Sequence, residues 1–351
     1  AAPDPRPALP LTFIDRPYGR LLSRTDWGPD ARWLTFKCSW MTINHQNGDG
    51  NQFELYRKGE WLTKERSGYA DDAILMTSDY HNTLALQNTK PAKPNWFEDQ
   101  TIQRGGQWTN GSAAGDPTTT FGVGDGYVFA RGDATNLYNR PPDAMDIRHA
   151  SRDLLWLQPD TVVVYDRADS ETDGRFKRFN LTLLALPTVQ GRTAIQFTPG
   201  GQRLTIQSLL PEAAVLTASP AERFNTVADL EPSQARLVIE DPSGSRSVRF
   251  LNLLRAADAD EPAEVPATLV RGEVIEGAAW GEEAALFAAQ PGDLPAAWSI
   301  ALPAATRRVT LTGLRPGAGY TVELAADVAD RRLTVREGGP ERADEAGVLR
   351  R

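Results

Sequence analysis

Phe53-Glu54-Leu55-Tyr56-Arg57-Lys58-Gly59-Glu60-Trp61-Leu62-Thr63 reads as two strands and a turn. Its first five residues alternate apolar and polar, the period of a strand with one covered face. Lys58-Gly59-Glu60 then supplies the turn that returns the chain through Trp61-Leu62-Thr63. Outward from this stretch the same punctuation repeats. A strand is expected at 32–37 before it, and others at 83–87, 127–130, 161–165, 180–184, 203–208, 235–239 and 247–253 after it. Asp160, Pro199-Gly200-Gly201 and Asp241-Pro242-Ser243-Gly244 mark the turns. No sustained helical periodicity interrupts the first 260 residues beyond a short turn or two. Strands in such number without intervening helices point to an all-β fold, a large two-sheet antiparallel β-sandwich over residues 12–260.

A break rich in acid and proline near 256–266 separates that sandwich from a smaller C-terminal β element over 261–351. Strands are expected there at 307–311, 320–324 and 332–335. The Ala- and Glu-rich stretch 277–290 has helical propensity, but its neighbours and its few well-spaced apolar anchors favour strands. Leu314-Arg315-Pro316-Gly317-Ala318-Gly319-Tyr320 resembles the turn and corner tyrosine of fibronectin-like modules. The first eleven residues, opening Ala1-Ala2-Pro3-Asp4-Pro5-Arg6-Pro7, read as a linker and carry no signal-peptide pattern.

Composition removes several classes of function. The chain has 351 residues, 40% hydrophobic and 24% charged, which describes a folded globular protein. No apolar run approaches the roughly 18–20 residues of a membrane span. A single cysteine, Cys38, excludes an intrachain disulfide and any multi-thiolate metal site, and it is expected as a small buried residue. A formal charge of −8 argues against a general nucleic-acid binder. No nucleophile elbow, phosphate loop or dinucleotide fingerprint occurs.

The densest polar stretch is Asn44-His45-Gln46-Asn47-Gly48-Asp49-Gly50-Asn51-Gln52, directly before the strand that opens at Phe53. A second cluster, Ser78-Asp79-Tyr80-His81-Asn82-Thr83, also precedes an apolar strand. Loops at strand starts are where scaffolds present functional side chains, so His45, Tyr80 and His81 are expected to converge at one end of the sheets. His149 leads into a strand and reads as structural or surface-lying.

These segments resemble the β-sandwich half of heparinase II/III-type polysaccharide lyases. The likeness continues through Gly68-Tyr69, Gln103-Arg104-Gly105-Gly106-Gln107, the segments 152–166 and 202–211, and Gly347-Val348-Leu349. Such lyases pair an N-terminal (α/α) toroid with this sandwich and bind a uronate-containing glycan in the cleft between them. Nothing here could form the toroid, which in the family supplies an Asn or His, a Tyr and often an Arg. The resemblance therefore implies an acidic polysaccharide as partner, an upstream or separate toroid, and a secreted or periplasmic location.

The sandwich of these lyases contributes the first histidine of a His-x-His-x-Asp-x-Asn-x-Phe pattern, and that position is His45. The second histidine, a zinc ligand in several relatives, is replaced by Asn47, and the next acidic ligand falls near Glu65. An amide is a poor zinc ligand beside imidazole, so no cofactor and no tight zinc are expected. Oxygens of Asp49, Asn51 and Glu65 remain for calcium, at a spacing that matches no calcium motif. The resemblance implies His45 and Tyr80 as catalytic groups, with Asn47, Asn51, His81 and Arg104 as substrate contacts. Two functions stay open: a lyase acting by β-elimination, and a non-catalytic glycan-binding or structural sandwich.

Overall fold

A computed structural model describes residues 4–39, 47–66, 76–109, 111–223, 231–327 and 329–351. The alternation that opens at Phe53 is part of a nine-stranded sheet. Its spatial order is Thr12–Asp15, Arg20–Arg24, Arg32–Lys37, Gln52–Arg57, Glu60–Thr63, Lys177–Leu183, Ala235–Glu240 and Val215–Pro220, with Leu84–Leu86 also pairing with Lys177–Leu183. The facing eight-stranded sheet runs Thr188–Gln190, Thr193–Phe197, Gln202–Leu210, Ser247–Asp258, Thr161–Ser170, Ile147–Leu157, Tyr127–Asp133 and Thr118–Gly124. Both are antiparallel throughout their described pairings. Leu34, Phe36, Phe53, Leu55, Phe179 and Leu237 meet Val128, Leu154, Trp156, Val164, Ile206 and Phe250 in one apolar core. The fold is all-β, half strand and 6% helix.

The stretch 277–290 forms two strands, Ile275–Trp280 and Glu283–Ala288, as its context implied. They belong to a five-stranded sheet with Thr268–Arg271, Arg308–Leu311 and Leu349–Arg350, which contains the one parallel pairing among the described strands. A four-stranded sheet of Ala297–Pro303, Asp330–Glu337, Gly319–Asp327 and Glu341–Arg342 covers it. Tyr320 is a corner tyrosine: its hydroxyl accepts the backbone N–H of Arg315 at 2.9 Å. A second apolar layer joins this region to the eight-stranded sheet, with Phe287 stacked on Tyr165 at 5.1 Å between ring centroids.

One element departs from expectation. Trp96–Arg104 is a nine-residue α-helix. Only Thr101 and Ile102 on it are buried, so it lacks the apolar stripe that advertises a helix. Its ends carry the signal instead. Asn95 and Glu98 form a reciprocal capping box, and Gly105 closes the helix at φ 70°. A Cβ at Gly105 would lie 2.7 Å from the backbone nitrogen of Leu86, so the close approach also requires glycine. The helix thus ends with Arg104 beside the strand that follows Tyr80.

The two sheets are tied internally by a buried ion pair. Arg152 and Asp166, from neighbouring strands of the eight-stranded sheet, are fully buried and joined by two hydrogen bonds of 2.7 and 2.9 Å. The Arg152 guanidinium lies against the rings of Phe53 and Phe179 in the other sheet. It also donates to the carbonyls of Asn51 and Asn82, at 2.7 and 2.6 Å. A charge in the core therefore fixes both polar loops singled out in the sequence.

Candidate functional site

The polar segments do come together. Gly48 donates its N–H to the Met76 carbonyl at 2.7 Å, and Ser78 Oγ donates to the Gly48 carbonyl at 2.6 Å. Gln107 binds Gly50 twice, accepting its N–H at 2.7 Å and donating to its carbonyl at 2.9 Å. A Cβ on Gly50 would meet Leu137 at 2.5 Å and Gln107 at 2.8 Å, which explains a glycine in that loop. Asn82 donates to the Phe53 carbonyl and accepts from the Thr182 N–H and hydroxyl. These are buried, satisfied bonds that hold three chain segments in one place.

Two side-chain clusters result. The first surrounds Tyr80, in the 3₁₀ turn Ser78–Tyr80. Arg236 lies over its ring at 4.6 Å and Arg104 at 5.5 Å. Arg104 donates to Asp79 Oδ2 at 2.9 Å and lies 3.5 Å from the Tyr80 hydroxyl. Arg236 donates to the Asp79 carbonyl at 2.6 Å. The Tyr80 hydroxyl itself donates to Glu222 Oε2. Burial first, then that carboxylate, push the phenol above its ordinary value, so it stays a neutral hydrogen-bond donor.

The second cluster surrounds His81. Its ring is fully buried, with Nδ1 2.8 Å from Glu65 Oε2 and Nε2 without a hydrogen-bond partner among the described residues. Lys37 Nζ lies 2.5 Å from Asp49 Oδ2 and 3.5 Å from Glu65 Oε1. Burial opposes the charge on Lys37, but Asp49 and then Glu65 outweigh it and raise its pKa. Burial likewise opposes ionisation of Glu65, yet Lys37 and His81 hold that carboxyl at about 2. Burial dominates at Asp49 and raises it.

Asp49, Glu65 and His81 each offer a ligand atom, all within 4.8 Å of one another. By type, two carboxylates and an imidazole suit a small divalent ion. Lys37 already supplies the positive charge against two of the three donors, and an ammonium and a divalent ion repel one another there. As folded, the set does not fit a metal.

Sequence reasoning placed the site unevenly. The structure brings Tyr80 and Arg104 together. Tyr80 is wholly buried, because two guanidiniums and Glu222 cover it. His81 faces Glu65 and not Tyr80's partners. Asn51 sits at φ 66° in the turn before its strand, 2% exposed, its carbonyl held by Arg152. Asn47 is partly exposed at the edge of the described residues. His45, and with it its expected place beside Tyr80, lies outside the described residues, as does Gly68-Tyr69. Lys37, Arg236 and Glu222 were missed. Cys38 is buried, its thiol pushed up to about 12 chiefly by burial, and is no nucleophile. His149 is partly buried beside Ser151, at 2.8 Å.

No family model matches this chain, and no curated protein does. Solved structures do. The heparan sulfate lyase HepC from Pedobacter heparinus is 18% identical, with a TM-score of 0.55 over 74% of this chain and 38% of its own. A mutant of that enzyme gives 0.58 at 17% identity, over 79% and 42%. A heparinase III gives 0.55 at 12% identity, over 76% and 40%. This chain therefore spans about two-fifths of the length of these lyases and shares the fold of that part. No helix among the described residues is long and apolar enough to cross a membrane.

Proposed function

We propose that this chain is the sandwich portion of a polysaccharide lyase that cleaves a uronate-containing acidic glycan by β-elimination. The observation that carries the reading is the pair of guanidiniums, Arg104 and Arg236, set against the protonated Tyr80. The shared lyase fold supports it. β-Elimination removes the proton next to the uronate carboxylate and expels the glycosidic oxygen. That proton becomes acidic only when the carboxylate is neutralised, which is what arginines and amides do. Tyr80 then protonates the departing oxygen, and His45 neutralises or takes up the proton. Asn47, Asn51, His81 and Arg104 belong to the same reading as groups that hold or orient the sugar. An (α/α) toroid, on the same protein or on a partner, completes the cleft. The same reading divides the chain into a linker over 1–11, the sandwich over 12–260 and a small module over 261–351, in a protein that works outside the cytoplasm.

A second reading, a non-catalytic glycan-binding module, draws on the burial of Tyr80 and its hydroxyl's bond to Glu222. One assay separates the two. The chain is mixed with heparan sulfate, hyaluronan and alginate, and the ultraviolet absorbance of unsaturated uronate ends is followed, alone and with a toroid domain added. Rising absorbance supports the lyase. Calorimetric binding without turnover under either condition supports the binding module. Neither turnover nor binding removes both.

A further inference from the structure

We propose that Lys37 is the resident cation of the cluster formed by Asp49, Glu65 and His81, standing where a divalent ion would sit if those donors held a metal. Lys37 is the last residue of the strand Arg32–Lys37 and pairs in register with Gln52. Gln52 in turn closes the tight turn on Asp49, its N–H bonded to the Asp49 carbonyl at 3.0 Å. The sheet ladder therefore delivers the Lys37 side chain to the turn that carries the first carboxylate. Its Nζ reaches both Asp49 and Glu65.

The two carboxylates are 4% and 6% exposed, and burial at that level demands a compensating charge. The next cation along, Lys64, is engaged with Glu54 at 2.8 Å. Lys37 is thus the close compensation for the pair. Three ligand atoms within 4.8 Å of one another make a first coordination sphere in outline, and His81 turns its Nδ1 to Glu65 at 2.8 Å while its buried Nε2 has no partner among the described residues. With Lys37 present, adding a divalent ion would force like charges together. With Lys37 absent, two negative charges would await one divalent ion. The Lys37 side chain runs along an open groove of ≈ 260 Å³ lined by Arg20, Thr35, Gln52 and Glu54, a path by which an ion from solvent could enter. This inference concerns how the cluster is held and does not rest on the lyase reading.

The test uses zinc as probe on the native chain, on Lys37→Met and on Lys37→Gln, by calorimetric titration and by melting with zinc or with a chelator. Methionine keeps most of the unbranched stem and removes the ammonium but adds a thioether that can itself bind metal, so Lys37→Gln serves as the sulfur-free control. The native chain should take up no stoichiometric zinc, and its melting temperature should ignore both additions. Lys37→Met should melt lower in chelator, bind one zinc per chain at least about tenfold tighter than the native chain, and regain melting temperature when it does. Adding Asp49→Asn to Lys37→Met should abolish that uptake. Stoichiometric zinc on the native chain overturns the proposal without reference to any variant. So does a folded Lys37→Met or Lys37→Gln chain that ignores zinc. Variants that fold only when zinc is present support it; variants that fold in neither condition overturn it.

Discussion

At the scale of single residues, the account turns on Tyr80 and the two arginines against it. Tyr80→Phe keeps the ring between the guanidiniums and removes the proton donor. Stability should fall by only about 0.5–1.5 kcal/mol, the net worth of one hydrogen bond, as measured by denaturant unfolding. If the chain turns over glycan, kcat should fall about 10²–10⁴-fold with KM little changed, the signature of a lost general acid. Tyr80 and Arg104 were legible in the sequence because each lies in a short polar run next to a strand or helix end. Arg236 was not. It is 157 residues from Asp79, and only the pairing of its strand with Lys177–Leu183 brings it to the site. Lys37 was hidden for a similar reason: at the end of an alternating strand it reads as a solvated charge until the turn at Asp49 folds against it.

At the scale of elements, strands were readable because alternation and turn residues repeat, and even the Ala- and Glu-rich stretch 277–290 followed its context over its propensity. The helix Trp96–Arg104 was not, since periodicity is a weak guide for an element that buries two side chains. Its cap was the legible feature. Asn95→Ala removes the side-chain oxygen that accepts the Glu98 N–H. That change should cost about 0.5–2 kcal/mol in denaturant unfolding, and it should loosen the end that positions Arg104. The buried pair of Arg152 and Asp166 holds the backbone of the two polar segments at Asn51 and Asn82. Arg152→Met leaves Asp166 uncompensated and the Asn51 and Asn82 carbonyls without this donor. A loss of about 3–5 kcal/mol is expected, and a neutral outcome would show that the pair does not hold the loops.

At the scale of the whole molecule, a polar clasp closes one end of the sandwich. Arg57, from the nine-stranded sheet, reaches Asp160, Gln202 and Asp258, all belonging to the facing sheet or its turns. Hydrogen bonds from Lys58 and Arg57 hold the Asp258 carboxyl at about 2, below its ordinary 3.8. A carboxyl depressed by folding adds stability that is complete above the ordinary value and is lost as pH falls toward the folded one. Asp258→Asn should therefore lower the melting temperature at neutral pH and flatten its decline between pH 3.8 and about 2. An unchanged acid limb would mean the clasp is fully screened. In the sandwich so closed, Arg104 and Arg236 lie over the buried Tyr80, and the proposed function makes those two guanidiniums the groups that meet an anionic sugar. The most direct test is calorimetric binding of uronate oligosaccharides to the native chain and to the Arg104→Ala, Arg236→Ala double variant, at low and at raised salt. The account predicts that the native chain binds, more weakly as salt rises, and that the folded double variant loses binding. A native chain that binds no acidic oligosaccharide, or a double variant that binds as well as the native chain, would contradict it.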